Sequence, residues 1–166
     1  MPDMVAKLRG GHRRSIGQSD EVARDISEDR KLFSAVFRAM LDPDRVVRMR
    51  AADAIEKASR KHPELLQPYK RRILGKVALA DEQEVRWHVA QILPRLRLTS
   101  KERDWAVSIL FDYLEDKSSI VRTFAMQALA DLALQDRRMR ARVVPMIEFL
   151  TGTRSEERRV GKECRL

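Results

Sequence analysis

A Val-Arg pair opens three helix-compatible runs, at Val47-Arg48, Val85-Arg86 and Val121-Arg122, and the pairs lie 38 and 36 residues apart. A period of that length holds two short helices and a turn, a unit too small to bury an apolar face alone. Units of this kind must stack on their neighbours to acquire a core. Equivalent offsets carry small or aliphatic residues in all three: Ala51, Val89 and Ala125 correspond, as do Ala54, Ile92 and Ala128, and Ile55, Leu93 and Leu129. Those positions form the stripe that each helix turns toward the stack.

The composition agrees with helices throughout. The 166 residues include only six Gly and six Pro, with no Asn-Gly or Asp-Gly hairpin signal. Runs of alternating β-branched residues are missing, and good helix formers dominate. The expected fold is all-α, an α-solenoid of about three to four stacked helix pairs.

Local signals place the elements. Ser19 or Asp20 caps a short helix over EVARDI, and Ser27 with Glu28 and Asp29 repeats the start signal before the apolar series Leu32 to Leu41. Asp42-Pro43-Asp44 makes a turn into a helix over residues 45–59. Pro68, suited to a first helical position, opens an outer helix reaching Leu79. The next helix, residues 84–96, contains Pro94 and should bend in its last turn. Thr99 and Glu102 form a capping box ahead of the outer helix of the third unit, and residues 120–134 form its inner helix. Arg137, Arg138, Arg140 and Arg142 begin a further outer helix. Cations oppose the positive end of a helix dipole, so these arginines are expected partly in the loop.

Charge narrows the partner class. The net charge is +9, but residues 1–18 hold +3 of it and residues 154–166 hold +2. In residues 19–153, 25 basic and 21 acidic side chains intermingle, which reads as a solvated mixed surface rather than a basic face. Residues 1–18 lack apolar periodicity and read as a mobile basic arm. No apolar run is long enough for a membrane span or a signal peptide, so the expected setting is cytoplasmic without membrane attachment. His12, His62 and His88 are scattered over arm, loop and helix, without metal-ligand spacing. No nucleophile elbow, phosphate loop or dinucleotide fingerprint occurs, and the acids Asp112, Glu115 and Asp116 suit a solvated helix end. These patterns predict a non-enzymatic protein with no cofactor and no metal.

The run D-P-D-x-x-V-R-x-x-A-A-x-A-I over residues 42–55 resembles the second half of a HEAT repeat. Weaker copies stand at 81–93 and 116–129, and the likeness spans about residues 30–150. The resemblance implies a ladder in which the Asp of each turn meets the Arg after Val in the neighbouring repeat. The matching residues are Asp42 or Asp44, Asp81 and Asp116 with Arg48, Arg86 and Arg122. It further implies that the second helix of each pair lines a concave face. The candidate binding rows are then Arg50, His88 and Phe124, next Asp53, Gln91 and Gln127, and last Lys57, Arg95 and Asp131, with Trp87 beside the first row.

A groove of mixed charge with Trp, Phe and Arg anchors suits a protein or peptide partner. The alternative is nucleic acid, bound non-specifically or as HEAT-like DNA glycosylases bind it, with Trp87, Arg50 and Asp53 around a flipped nucleotide. The modest charge of residues 19–153 argues for weak phosphate binding. At the other end, RSEERRVGKEC at 154–164 resembles the in-frame translation of a common sequencing adapter. Residues 154–166 are therefore expected to be a non-native tail, with Cys164 outside any redox or metal argument. ARVVPMIEFLTGT reads as the first helix and turn of a fourth unit, leaving 19–153 as the repeat domain.

Overall fold

The computed structural model describes the backbone of residues 4–10, 12 and 15–163. Side chains at 150, 151 and 153–163 lie outside the description, as do Asp3, Arg13, Arg14 and Cys164, which figure in the arm and tail expectations. The helices are α1 (Met4–Leu8), α2 (Ser19–Glu28), α3 (Phe33–Ala39), α4 (Arg45–Lys61), α5 (Lys70–Arg72), α6 (Gln83–Ile92), α7 (Ser100–Leu114), α8 (Ser119–Gln135) and α9 (Arg137–Glu163). No strand occurs among the described residues.

Two layers result. The inner layer is α2, α4, α6 and α8, each packed on the next, and the outer layer runs from α1 and α3 through the Pro63–Val77 segment to α7 and α9. The stripe read from the repeat is the seam between them: Val47, Ala51, Ala54 and Ile55, then Val85, Val89 and Ile92, then Val121, Ala125 and Leu129 are all fully buried. Small residues in this stripe, Ala51, Ala54 and Ala125, suit close helix packing. Truncating a residue such as Ile55 to Ala would cost about 3 kcal/mol, because the stacked helices have little room to collapse into the cavity.

A mobile arm is expected over residues 1–18, and the described residues of that segment are in part packed on the fold. Met4 and Leu8 of α1 are buried, and α2 occupies an inner-layer position in front of α4, so the array starts one helix pair earlier than the Val-Arg period shows. The strap that holds this segment is Arg50. Its guanidinium donates to the carbonyls of Leu8 at 2.9 Å, Gly10 at 2.5 Å, His12 at 3.1 Å and Ser15 at 3.0 Å. Gly17, at φ +57°, turns the chain over it, and a Cβ there would stand 2.8 Å from the guanidinium carbon. Only glycine fits that close approach in the left-handed region.

Prolines account for the other departures. Pro63 and Pro68 lack the N–H of a helical residue, and Pro63–Tyr69 forms a 3-10 stretch instead of the start of a long helix. The outer helix of the second unit is reduced to α5 and a π-helical turn over Ile73–Val77, with Gly75 off helical geometry. Tyr113 repairs part of the loss by donating its hydroxyl to the carbonyl of Ala78 at 2.7 Å. Pro94 likewise ends α6 at Ile92 and turns Leu93–Arg95 into a 3-10 turn, so the helix stops where a bend was expected.

Caps refine the rest. The Thr99–Glu102 box forms in both directions, at 3.3 and 2.8 Å. Ser27 does not restart a helix, since its hydroxyl donates back to the Ala23 carbonyl while Asp29 caps the next turn. Arg137, Arg138, Arg140 and Arg142 lie within α9 rather than in the loop. Asp136 accepts from the N–H of Arg138 at 2.8 Å, and Asp104 of α7 accepts from Arg138 and Arg142, which offsets the unfavourable dipole. The α9 backbone stays helical through the turn expected near Gly152.

Candidate functional site

The inter-repeat ladder is built from the turns. Arg48 donates to the carbonyls of Asp42 and Pro43 in its own turn and reaches the carboxylate of Glu82 in the next. Arg86 repeats the move, donating to the Ala80 carbonyl at 2.7 Å and to Asp116 at 2.7 Å. Arg122 donates to the carbonyls of Asp116 and Lys117. One rung differs from expectation. The acceptor in the second turn is Glu82, the residue nearest α6, whereas Asp81 points into solvent and lies 3.5 Å from Arg86 of its own unit. Burial pushes the Asp116 carboxyl up, but the Ser118 N–H and Arg86 outweigh it and hold the group below its ordinary value. These residues tie turns together, and their paired charges leave little for a ligand.

Several residues of the expected binding rows are also committed internally. Arg50, first in its row, is 2% exposed and donates to four N-terminal carbonyls, so it acts as a strap. Asp53 is buried and accepts from the Ser19 hydroxyl and from Lys57 at 2.6 Å. Lys57 also contacts Asp20 at 2.5 Å. Arg95 crosses to α4, where it donates to Glu56 at 2.5 Å, to the Glu56 carbonyl at 2.8 Å and to Ser59 at 2.8 Å. Glu56 is fully buried and also accepts from Arg60 at 2.7 and 2.9 Å. Its burial opposes ionisation, yet the two guanidiniums keep its pKa below the ordinary value. The expected rows omitted Glu56, although Glu56 and Arg60 stand one turn apart, a spacing visible in the sequence.

His88 lies where these groups meet. Its Nε2 stands 3.6 Å from Asp53 Oδ1, and burial lowers its pKa to about 4 against the opposing pull of Asp53 and Glu56, so the ring is neutral at pH 7. Ser19, Asp53 and His88 form no hydrolytic relay: the serine hydroxyl is buried and donates to the carboxylate, not to the imidazole that would have to activate it. No group of three or more metal-ligating side chains occurs among the described residues.

The open surface of the inner layer consists of grooves between successive helices. The α6–α8 groove, about 520 Å³, brings together Gln91, Arg95, Phe124, Gln127 and Asp131 with Pro94 and Leu134. Leu134 is 73% exposed and Phe124 half-buried. The α4–α6 groove, about 450 Å³, is lined by Asp53, Trp87 and His88 together with Glu84, Met49 and Ile16. Glu84 was missed in the sequence because its signal, an acid one turn before His88, is shared by any solvated helix face. Trp87 packs partly on the core, edge-on to His88 at 5.6 Å between ring centres.

Fold and surface together define a helical-repeat array: stacked helix pairs, an inter-repeat charge ladder and a grooved inner face. A family model described as a HEAT repeat domain matches residues 6–139, and the chain belongs to the HEAT-repeat family. The match begins within α1 and includes all of α2, in agreement with the extra helix pair ahead of α3. Comparison with curated proteins and with solved structures finds no match. Among the described residues no helix is long and apolar enough to cross a membrane.

Proposed function

We propose that this protein is a non-enzymatic adaptor that holds a protein or peptide segment along its inner-helix face, anchored in the α6–α8 groove. One observation carries the reading. The groove presents an exposed aliphatic side chain, Leu134, and the aromatic Phe124 among the primary amides of Gln91, Gln127 and Gln135. Apolar anchors supply the affinity of such a contact; each amide nitrogen donates once within the protein, to Trp87, Asp131 or Pro94, and its second N–H and carbonyl oxygen match the groups of a peptide backbone. Catalysis and a cofactor play no part in this reading.

The pairing of the cations favours a peptide over nucleic acid. Arg50, Lys57 and Arg95, the basic members of the rows, are each engaged by carbonyls or carboxylates. Phosphate binding would have to break those contacts, whereas an apolar segment leaves them intact. The test is selection from a random-peptide display library on the full chain, followed by affinity measurements with the Phe124→Ala variant. Recovered peptides should lose about 2 kcal/mol, roughly thirtyfold, with that variant and show little dependence on salt. Peptides indifferent to Phe124, or retention of duplex DNA that falls steeply with salt, would count against the proposal.

A further inference from the structure

Two buried acceptor atoms in the α4–α6 groove lack a hydrogen-bond partner: Glu84 Oε2 and His88 Nδ1. Both belong to α6, one helical turn apart on the same face, and both residues line the cavity that Trp87, Met49 and Ile16 complete. Folded proteins rarely leave such atoms unpaired, and each exception calls for an explanation. The neutral His88 ring carries one proton. The Asp53 carboxylate facing Nε2 at 3.6 Å favours placing that proton there, which assigns a lone pair to Nδ1. Two residues of the cavity wall therefore carry unpaired acceptors, one of them anionic, beside an indole, and a small rotation of the partly exposed Glu84 side chain would turn its carboxylate into the cavity.

The surrounding charges single out Glu84. Asp53 is engaged by Ser19 and Lys57, and Glu56 by Arg60 and Arg95. Arg50, on the cavity wall, directs its N–H groups to backbone carbonyls. The nearest cation to Glu84 Oε2 is the exposed Arg45, at 3.8 Å and beyond hydrogen-bond reach. We propose that this cavity is a subsite for a basic side chain of the partner segment, a guanidinium or ammonium that donates to Glu84 Oε2 and His88 Nδ1 and packs against Trp87. Both acceptors then gain charge-assisted bonds, and the indole adds a cation–π contact. The uncompensated charge at this end of the cavity is the Glu84 carboxylate, which favours a cation over an anion.

The proposal rests on reading the inner face as a peptide-binding surface, and it adds a spacing. The two grooves are offset by about 10 Å along α6 and by one interhelical distance, roughly 10 Å, across it. That separation of about 14 Å corresponds to some four extended residues. The partner should carry Lys or Arg about four residues from an apolar anchor.

The test has two arms, both on the full chain. In the first, N-acetyl-arginine methylamide, the lysine analogue and the neutral norleucine analogue are titrated while the Trp87 indole and His88 ring signals are followed by NMR. The basic amides should shift both signals, norleucine should shift neither, and Glu84→Gln should weaken the response at least about tenfold. Equal responses to all three amides, or none, would overturn the subsite. In the second, display selection is repeated on Glu84→Gln. Peptides that depend on Phe124 but lack a basic residue and bind Glu84→Gln equally well would overturn the subsite and spare the α6–α8 groove. A clear response to the basic amides with no Phe124-dependent peptide would support the subsite and sink the groove reading instead.

Discussion

Lowering the pH from 7 to 5 should destabilise this protein through His88. The unfolded imidazole titrates near 6.5 and the folded one near 4, because burial disfavours the cation. Between those values the unfolded state binds a proton that the folded state does not, so stability falls as pH falls through that window. With these two constants the loss is about 2 kcal/mol at pH 5 and approaches about 3 kcal/mol below pH 4. Carboxylates held below their ordinary values, Glu56 and Asp116 among them, add a loss of the same sign at lower pH, so the His88 share must be isolated. His88→Gln is the suitable reference, since its amide can still donate toward Asp53 but does not titrate. Urea unfolding of both proteins at pH 7, 6 and 5 should show a loss about 2 kcal/mol greater for wild type, and the His88 ring should titrate by NMR near pH 4. Parallel pH profiles, or a midpoint near 6.5, would refute the argument.

Arg50→Met should cost about 3 kcal/mol, since it strips the charged donor from four backbone carbonyls. Amide exchange over Val5–Leu8 should then rise well above that of α4, whereas an unchanged exchange pattern would show that the strap holds nothing. Glu56→Ala should cost about 3–5 kcal/mol by leaving the Arg95 guanidinium without its buried carboxylate. Unfolding of Glu56→Ala beside the double variant that also carries Arg95→Met measures this, and the double variant is expected to be the more stable of the two. A chain ending at Thr153 is expected to melt within ~2 °C of the full one, as a segment outside the repeat domain would allow, with calorimetry as the check.

The architecture was legible in the sequence because a solenoid repeats its own core: Ala51, Val89 and Ala125 return at the period, and all three are fully buried. In the first helix pair α2 was legible as a capped helix, but α1 and the place of the pair in the stack were not. α2 lacks the Asp turn and the Val-Arg pair, and the residue that secures the N-terminal segment, Arg50, sits 35 to 42 positions away on α4. Its 3.6-residue phase placed it on the open face, but the carbonyls of Leu8, Gly10, His12 and Ser15 cover that face. The same limit applies to Arg95 and Lys57. Helical phase shows where a side chain starts, and a long flexible one ends wherever a carboxylate is buried within reach. Phe124, Gln127 and Asp131 fall together in the α6–α8 groove because short or rigid side chains stay near their helical phase. Glu82 displaced Asp81 from the ladder for a related reason, since two adjacent acids compete for one guanidinium and only geometry separates them.

The most direct test of the adaptor reading is where a selected peptide lands. Amide and side-chain NMR shifts of the full chain, recorded with a display-selected peptide at saturation, report this residue by residue. Perturbations are expected to concentrate at Gln91, Phe124, Gln127, Asp131 and Leu134, with Trp105 and Ser108 on the exposed side of α7 unmoved. Shifts confined to α7 or to the outer face, with the α6–α8 groove silent, would contradict the adaptor reading.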